Sequence, residues 1–396
     1  METSKHFDPQ RKMPVAKIML VAGARPNFMK IAPILRELDK KNTMQGILVH
    51  TGQHYDRSMS HLFFDGLGIR EPDYNLEVGS GSHAQQTANV MIRFEEVCLR
   101  EKPDVVVVVG DVNSTIAAGL VAKKLHVHLA HVEAGLRSGD HDMPEEINRI
   151  ATDAIADLLF TTERKGTENL LREGHENDSI HFVGHVMIDN LLYQLKKVEE
   201  NPDEVVSAEV RDLKRALPNR YVCLTLHRPS NVDDPDTLVG LLEAIAELAR
   251  NVPVIFPCHP RTRKNIARFQ LGTRFIEQHD TPANPSSGII LLQPLGYDDF
   301  LYLWKDASLV LTDSGGLQEE TTALRLPCIT MRTSTERPVT AEIGSNEVVG
   351  TSKGKIVTLG SRALQGTWKK GNIPELWDGQ ASHRIVEILQ TFLCQA

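Results

Sequence analysis

Short apolar runs of strand length alternate along this chain with longer stretches whose apolar residues recur at helical spacing. The most uniform run, Val105–Val109, consists only of valine, which is typical of a central parallel strand covered by helices on both faces. This alternation predicts βαβ units and a parallel sheet. The runs of the first half are residues 18–21, 47–49, 105–109, 127–132, 158–161 and 180–183.

The same alternation starts again in the second half, after a charged stretch at residues 196–209. Since 396 residues exceed what one core usually supports, we predict an α/β fold of two Rossmann-like, doubly wound domains facing across a cleft. An amphipathic segment at residues 383–393 predicts a closing helix, which could pack back on the first domain. The predicted divisions are a flexible N-terminal tail at 1–15, domains at 16–195 and 205–375, and the closing helix at 376–396.

Composition and charge narrow the class of protein. A net charge of -8 does not suggest the basic face that nucleic acid requires. The sequence contains no apolar run of the roughly 20 residues that a bilayer span needs, and its start lacks a signal-peptide core. The cysteines are scattered without a Cys-x-x-Cys pair, which favours reduced thiols. We therefore expect a cytoplasmic protein that binds neither nucleic acid nor membrane.

Acidic residues follow two of the predicted strands and open a predicted helix. Asp111 comes after Val105–Val109, and Glu133 directly follows the run 127–132. Glu145 lies in a first helical turn, directly after Pro144. Loops after strand carboxyl ends face the ligand crevice of open α/β sheets. Mutual repulsion and partial burial would raise the pKa values of these carboxyls, as proton transfer at a sugar carbon requires. The alternative is a helix-dipole residue at Glu145 and a loop cap at Asp111.

A glycine turn in the second half suits a diphosphate. Asp313-Ser314-Gly315-Gly316 follows a predicted strand and opens a helix, so that free N–H groups and the helix dipole can bind an anion. Gly315 and Gly316 let phosphate oxygens approach the backbone, and Glu319 or Glu320, one turn on, could reach ribose hydroxyls. The alternative is a plain Ser-Gly helix cap with exposed acids.

Basic residues at other strand ends could hold further phosphate oxygens. His227 and His259 each follow a strand; we favour a binding role for His227, whereas capping and binding are equally compatible with His259. Arg25 and Lys30 lie in the first strand-to-helix turn, which has neither the dinucleotide fingerprint nor a Walker A loop. They could lie beside a phosphate or a leaving group, or be ordinary surface cations.

Three histidines, His126, His128 and His131, have a spacing that suggests a metal site. On a regular strand the first two share one face and the third points to the other. A core or supporting histidine is the commoner outcome, so we predict no metal.

Taken in order, these motifs resemble the non-hydrolysing UDP-N-acetylglucosamine 2-epimerases, which have the two-domain GT-B fold. The resemblance extends from Lys17 to Leu389. Its carriers are Gly23-Ala24-Arg25-Pro26-Asn27, Thr51-Gly52-Gln53-His54-Tyr55-Asp56, Gly110-Asp111, His131-Val132-Glu133-Ala134-Gly135-Leu136-Arg137, Pro144-Glu145-Glu146-Ile147-Asn148-Arg149, Leu226-His227-Arg228-Pro229 and Asp313-Ser314-Gly315-Gly316-Leu317-Gln318-Glu319-Glu320.

The resemblance implies a reaction and a set of residue roles. The C2 proton is removed and UDP leaves C1, giving a bound 2-acetamidoglucal, before UDP and a proton return with C2 inverted. No cofactor is required, and a homodimer that supplies surface-polysaccharide precursor is expected. The implied roles are proton transfer by Asp111, Glu133 and Glu145, support of the sugar by Lys30 and Arg149, phosphate binding by Arg25, His227, Ser314 and Gly315, ribose binding by Glu320 and uracil binding by Phe300.

Several alternatives stay open at this point. The segment 138–143 is shorter than in the familiar bacterial enzymes and resembles relatives that act on UDP-2,3-diacetamido-glucuronic acid, so the C3 and C6 substituents are undetermined. Gln53 and His54 resemble part of an activator pocket. Because a fold and a UDP site do not fix the reaction, a GT-B glycosyltransferase and a nucleotide-sugar sensor are alternatives from other classes. Three acids favour epimerisation, since a retaining transferase needs no base at C2.

Overall fold

The computed structural model describes residues 15–52 and 61–395, so that Gln53, His54 and all of the predicted tail except Val15 lie outside the described residues. The chain forms two compact units. The first runs to Asn190 and includes Asp378–Ala396, and the second is Leu191–Trp377. Among the described residues, every helix is too short or too polar to cross a bilayer.

The first unit contains, within its described residues, a seven-stranded sheet in which all neighbouring strands pair in parallel. The strand order is β3-β2-β1-β4-β5-β6-β7. The strands are β1 (Ala16–Ala22), β2 (Met44–His50), β3 (Tyr74–Asn75), β4 (Val105–Val109), β5 (His128–Val132), β6 (Leu158–Thr161) and β7 (Ile180–Phe182). The helices are α1 (Arg25–Leu38), α2 (His61–Leu67), α3 (His83–Glu101), α4 (Asn113–Lys124), α5 (Pro144–Ile155), α6 (Arg164–Arg172) and α7 (Val186–Glu200), the last of which continues into the second unit.

The valine strand β4 lies at the centre of this sheet, as its composition predicts. All of its residues are buried, and it pairs with β1 on one side and β5 on the other. Val105 and Val107 pack into the apolar cluster that contains α1, while Val106 and Val108 pack into the cluster that contains α3 and α4. The sheet is therefore covered on both faces, and the carboxyl ends of β4 and β5 lie side by side.

The second unit repeats this architecture with a parallel seven-stranded sheet of order β10-β11-β9-β8-β12-β13-β14 among the described residues. Its helices cover a core centred on β8, β9 and β12. The strands are β8 (Val222–Thr225), β9 (Val254–Pro257), β10 (Ile276–Glu277), β11 (Ile289–Leu292), β12 (Leu309–Thr312), β13 (Cys328–Thr330) and β14 (Asn346–Val348). The helices are α8 (Pro202–Val205), α9 (Ala208–Ala216), α10 (Pro229–Val232), α11 (Pro235–Leu248), α12 (Pro260–Arg268), α13 (Tyr297–Trp304), α14 (Gly315–Ala323), α15 (Pro338–Glu342) and α16 (Lys353–Leu364).

The last helix, α17 (Ala381–Gln395), packs back on the first unit. Ile385 and Leu389 lie in the same apolar cluster as α1 and β1. Asp189 of α7 accepts hydrogen bonds from the main-chain N–H groups of Ala381 and Ser382, at 3.1 and 2.7 Å. Because the first N–H groups of a helix have no partners within it, this buried carboxylate holds the start of α17 in place.

Candidate active site

The residues that follow β4 and β5 have left-handed backbone conformations. The φ angle is 66° at Gly110 and 71° at Glu133. A positive φ is uncommon for a residue with a side chain and concentrates at functional positions. A Cβ atom placed on Gly110 would lie 3.4 Å from Glu133 Oε2 and 3.0 Å from Lys30 Nζ. The structure thus brings Glu133 and Lys30 next to the backbone that carries Asp111.

Two cations hold two of the three candidate acids. Lys30 of α1 donates a hydrogen bond to Oε2 of the buried Glu133. Arg149 of α5 contacts Asp111 Oδ2 through Nη2 at 2.6 Å. Neighbouring carboxylates repel one another, and the two cations Lys30 and Arg149 offset that repulsion here. The reason is topological, because α1 and α5 both reach the carboxyl edge where the acids lie.

Helix α5 supplies two further contacts to the loops that follow β4 and β5. Asn148 Nδ2 donates to the main-chain carbonyl of Asp111 at 2.9 Å. Glu146 Oε2 lies 2.8 Å from Arg149 Nη1, and Glu146 also accepts the main-chain N–H groups of Ser138 and Gly139 at 3.0 Å. Glu145 is half-buried beside Glu146 in the first turn.

Glu146, which is not among the acids predicted from the sequence to be catalytic, is the more buried of the two adjacent acids. Burial alone would raise the pKa of Glu146, but the N–H groups of Ser138 and Gly139, together with Arg149, hold that pKa below its usual range. The signal in the sequence is the spacing of Glu146, Arg149 and Asp153, which places them on one helical face. The sequence alone does not say whether that face points inward.

His131 is paired on both ring nitrogens. Nδ1 lies 2.6 Å from Asp153 Oδ1, and Nε2 lies 2.8 Å from the carbonyl oxygen of Gly110. Asp153 also accepts the N–H of Gly135 at 3.0 Å and contacts Arg137 Nη2 at 2.7 Å. Burial would raise the pKa of Asp153, but the His131 and Arg137 side chains outweigh it and lower that pKa. His131, with Asp153, therefore links the loop that follows β4 to the loop that follows β5.

The other two histidines of the array lie apart from this network. The His128 ring packs edge-on against Phe392 of α17, with centroids 4.8 Å apart, and His126 occupies a turn with φ of 59°. Among the residues that the structure describes, no group of three histidine, cysteine or acidic side chains is arranged to hold a metal ion.

Arg25 is the first residue of α1 and is exposed. The helix start is fixed from within, since Asn27 Oδ1 accepts the N–H of Ala24 at 3.0 Å and Asn27 Nδ2 donates to the carbonyl of Val109 at 3.2 Å. Asn27 thereby links the first turn to the end of β4. Lys30 follows in the next turn, which is why its ammonium reaches Glu133.

In the second unit, a buried carboxylate orients His227. Asp313 accepts the main-chain N–H groups of His227 and Arg228, at 3.0 and 2.9 Å, and the amide of Asn231 at 3.2 Å. Its Oδ1 lies 3.0 Å from His227 Nδ1. Burial would raise the pKa of Asp313, but His227 and the two N–H groups lower it. With Nδ1 engaged, the opposite ring nitrogen, Nε2, points away from Asp313.

The glycine turn has the form that its sequence predicts. Ser314 is the N-cap of α14, which begins at Gly315. A Cβ atom added to Gly315 or Gly316 would meet no described heavy atom within 4 Å. The first N–H groups of a helix have no partner within the helix. An anion can therefore approach these glycines without steric obstruction.

Both acids that follow this turn are buried, so that the alternative of exposed acids is excluded. Glu320 Oε1 accepts the hydroxyl of Tyr297 at 2.7 Å. Glu319 Oε1 lies 2.5 Å from Arg337 Nε. Burial and the neighbouring Glu320 raise the pKa of Tyr297 well above its ordinary value. Tyr297 and Phe300 share α13, so this hydrogen bond joins the helix that carries Phe300 to Glu320.

Two parallel doubly wound sheets, one with paired acids at its strand ends and one with an open glycine turn, define the class of GT-B-like nucleotide-sugar proteins. The sequence model of the UDP-N-acetylglucosamine 2-epimerases matches residues 36–390. The chain belongs to this family.

Curated relatives and solved structures agree with this assignment. The UDP-N-acetylglucosamine 2-epimerase of Methanocaldococcus jannaschii is 42% identical over 377 residues, which cover 94% of this chain and 98% of the relative. Its crystal structure with UDP-GlcNAc and UDP has a TM-score of 0.76 and covers 95% of this chain and 99% of that one. The UDP-2,3-diacetamido-2,3-dideoxy-D-glucuronate 2-epimerase of Pseudomonas aeruginosa is 40% identical, covering 94% of this chain and 99% of the relative.

Proposed function

We propose that this protein inverts C2 of a UDP-2-acetamido sugar and interconverts UDP-N-acetylglucosamine with UDP-N-acetylmannosamine. The observation that carries this proposal is the pairing of Glu133 with Lys30 and of Asp111 with Arg149 at adjacent strand ends. Epimerisation needs proton donors and acceptors on both faces of C2, which a single acid cannot supply. The matched family and the names of its relatives support the same reaction.

The proposed chemistry is an elimination followed by an addition. A carboxylate takes the C2 proton, the C1–O bond breaks with its electron pair leaving on the β-phosphate of UDP, and a C1=C2 double bond forms. The same UDP oxygen then attacks C1 while a carboxylic acid protonates the opposite face of C2. The net change is an isomerisation, so no further reactant is consumed. Because the C2 hydrogen is weakly acidic, stabilisation of the departing UDP must lower the barrier.

We assign the proton transfers to Asp111, Glu133 and Glu145. Lys30 and Arg149 support these acids by fixing the orientation of Glu133 and Asp111 through the ion pairs described above. Glu145, in the first turn of the same helix as Arg149, serves as the third acid.

We assign UDP mainly to the second unit. The N–H groups of Gly315 and Gly316, with Ser314, bind the diphosphate, and the open space above the glycines supports this role. His227 donates from Nε2 to a phosphate oxygen, with Asp313 fixing its ring. In the same proposal Arg25 contacts phosphate, Glu320 accepts the ribose hydroxyls and Phe300 packs against uracil.

The decisive experiment is proton NMR of UDP-N-acetylglucosamine incubated with the purified protein in heavy water. We expect UDP-N-acetylmannosamine that carries deuterium at C2. Release of UDP and free sugar would instead identify a hydrolytic enzyme. An unchanged spectrum would reject this substrate, and UDP-2,3-diacetamido-glucuronate is the second to test because of the 40% identity with the Pseudomonas aeruginosa relative. No change with either substrate would reject the proposal in favour of a transferase or a sensor.

We also propose that the protein is a cytoplasmic homodimer whose product enters surface polysaccharide. Apolar side chains are exposed on two helices of the first unit that both pack against α4, namely Ile92 and Leu99, one heptad apart on α3, and Ile147 on α5. Such a face suits a second copy of the chain. Light scattering should give twice the chain mass, and Ile92→Glu should shift the protein toward monomer.

A further inference from the structure

Helix α5 buries a polar face. Its buried side chains are Glu146, Arg149, Thr152 and Asp153, while the apolar Ile147 is 57% exposed. A helix that packs on a sheet usually buries an apolar stripe and exposes its charges. Charged side chains are seldom fully buried unless they are paired. The polar face of α5, defined by Glu146, Arg149 and Asp153, therefore has a role other than ordinary packing.

Both buried carboxylates of this face hold the loop that follows β5. Asp153 accepts the N–H of Gly135, and Glu146 accepts the N–H groups of Ser138 and Gly139. Glu146 and Asp153 are two helical turns apart, about 10 Å along the axis. The loop is thus attached at two separated points and cannot shift without breaking charge-assisted hydrogen bonds.

The same face also reaches the loop that follows β4. Arg149 lies between Glu146 and Asp111, at 2.8 and 2.6 Å. Asp153 acts on the other side through His131, whose Nε2 faces the carbonyl of Gly110 at 2.8 Å. One helix face is therefore linked to the backbone that precedes Asp111 and to the backbone that follows Glu133.

We propose that Glu146 and Asp153 are positioning residues for the proton transfers, and that Glu146 also sets the charge around the Arg149–Asp111 pair. This inference rests on the proposed function. Burying ion pairs costs solvation, and apolar residues often stabilise a fold as well or better. Fold stability alone thus gives no reason for this polar face. Holding the loops that follow β4 and β5 in fixed positions does give one.

The effect of removing Glu146 on the pH profile of kcat depends on the charged groups near Arg149. Arg149 contacts Glu146 and Asp111, and the adjacent strand ends also carry the Glu133–Lys30 and His131–Asp153 pairs. In Glu146→Gln, Arg149 loses one of its two carboxylate partners and acts more strongly on Asp111. The charge balance at the site therefore changes in this variant, and we expect the acidic limb of the kcat profile to shift to lower pH.

Two variants separate position from charge, and a third serves as the control. Glu146→Gln keeps the side-chain length and removes the charge. Glu146→Asp keeps the charge but is too short to hold both N–H groups. The control is Asp157→Asn at the opposite edge of the same sheet, where Asp157 accepts the N–H of Leu129 at 2.8 Å and contacts Lys123 at 2.6 Å.

We expect kcat to fall about 100-fold in both Glu146 variants, as a misplacement of about 1 Å can cause. The KM for the UDP-sugar should stay within about threefold, because neither Glu146 nor Asp153 is assigned a contact with UDP. Only Glu146→Gln should shift the acidic limb of the kcat profile. Asp157→Asn should leave both kcat and the acidic limb unchanged. Wild-type kcat in both Glu146 variants, or losses that merely follow Tm in all three variants, would overturn the proposal.

Amide hydrogen exchange provides a readout that does not depend on turnover. We expect the peptide containing residues 136–143 to exchange faster in Glu146→Gln and to be unchanged in Asp157→Asn. Equal protection in all the proteins would overturn the positioning role. If the wild type turned over neither sugar nucleotide, the proposed function would fail, and the exchange result would still decide whether Glu146 holds the loop.

Discussion

Gly135→Ala tests how closely the loop that follows Glu133 packs against α6. Gly135 has a φ angle of 76°, and a Cβ atom there would lie 2.2 Å from the carbonyl oxygen and 2.9 Å from the Cα of Gly166 in α6. These are backbone atoms, which cannot rotate away. Gly174 provides the matched control, since its φ is 91° and an added Cβ would meet no described heavy atom within 4 Å.

The two substitutions differ in cost for a structural reason. A left-handed residue with a side chain costs about 1–2 kcal/mol, which applies to both glycines. Overpacking against α6 adds about 1–3 kcal/mol at Gly135 alone. We therefore expect the free energy of unfolding to fall by about 1–2 kcal/mol in Gly174→Ala and by about 2–5 kcal/mol in Gly135→Ala.

Catalysis should separate the same two variants. Relief of the clash moves the backbone two residues from Glu133, and a shift of about 1 Å can lower kcat about 100-fold. Urea unfolding followed by circular dichroism gives the stabilities, and the NMR assay gives kcat. Equal stability losses in the two variants, or wild-type kcat in Gly135→Ala, would refute the reasoning.

Three further predictions concern other parts of the molecule. Asp313→Asn replaces a carboxylate that accepts several hydrogen bonds with an amide, and the charge-assisted contact to His227 is lost. UDP should therefore bind about 10–100-fold more weakly, which calorimetry measures. The control is Asp234→Asn, because Asp234 is the N-cap of α11 and asparagine caps a helix equally well. Asp111→Asn should lower both deuterium incorporation at C2 and turnover by at least about 100-fold without weakening UDP binding; retention of exchange at the wild-type rate would remove Asp111 from the proton transfers. Burial lowers the pKa of His50 from 6.5 to about 4. As the pH falls from about 6.5 to about 4, the imidazole takes up a proton in the unfolded chain but not in the folded one, so the free energy of unfolding should fall. His50→Gln should make that fall smaller by about 2–3 kcal/mol. Identical stability profiles for wild type and variant would contradict this.

The fold and several site positions follow from local pattern. The valine run β4 is the central strand, α14 begins at Gly315, and Asp111 and Glu133 follow adjacent parallel strands. Each is decided by a few neighbouring residues, namely the β-branched run, the Ser-Gly cap and the rule that parallel strands end at one edge. The choice between exposed and buried acids after the glycine turn was not decided in this way, because it depends on Tyr297 and Arg337.

The partners of the acids came only from tertiary structure. Lys30 and Glu133 are 103 positions apart in the chain, and no local pattern indicates that they meet. His131 likewise has the spacing of a metal ligand but supports Gly110 and pairs with Asp153. Glu145 and Glu146 are adjacent acids in the sequence, and only the packing of α5 against the loop after β5 makes Glu146 the buried one.

The sequence by itself determined the sheets, the strand ends and therefore the edge at which chemistry can occur, because periodicity and turn residues act over a few positions. Tertiary structure alone decided which carboxylates are paired, which are buried and which loops they hold. The physical reason is that a side chain's charge environment is set by whatever folds against it, and those neighbours come from distant parts of the chain.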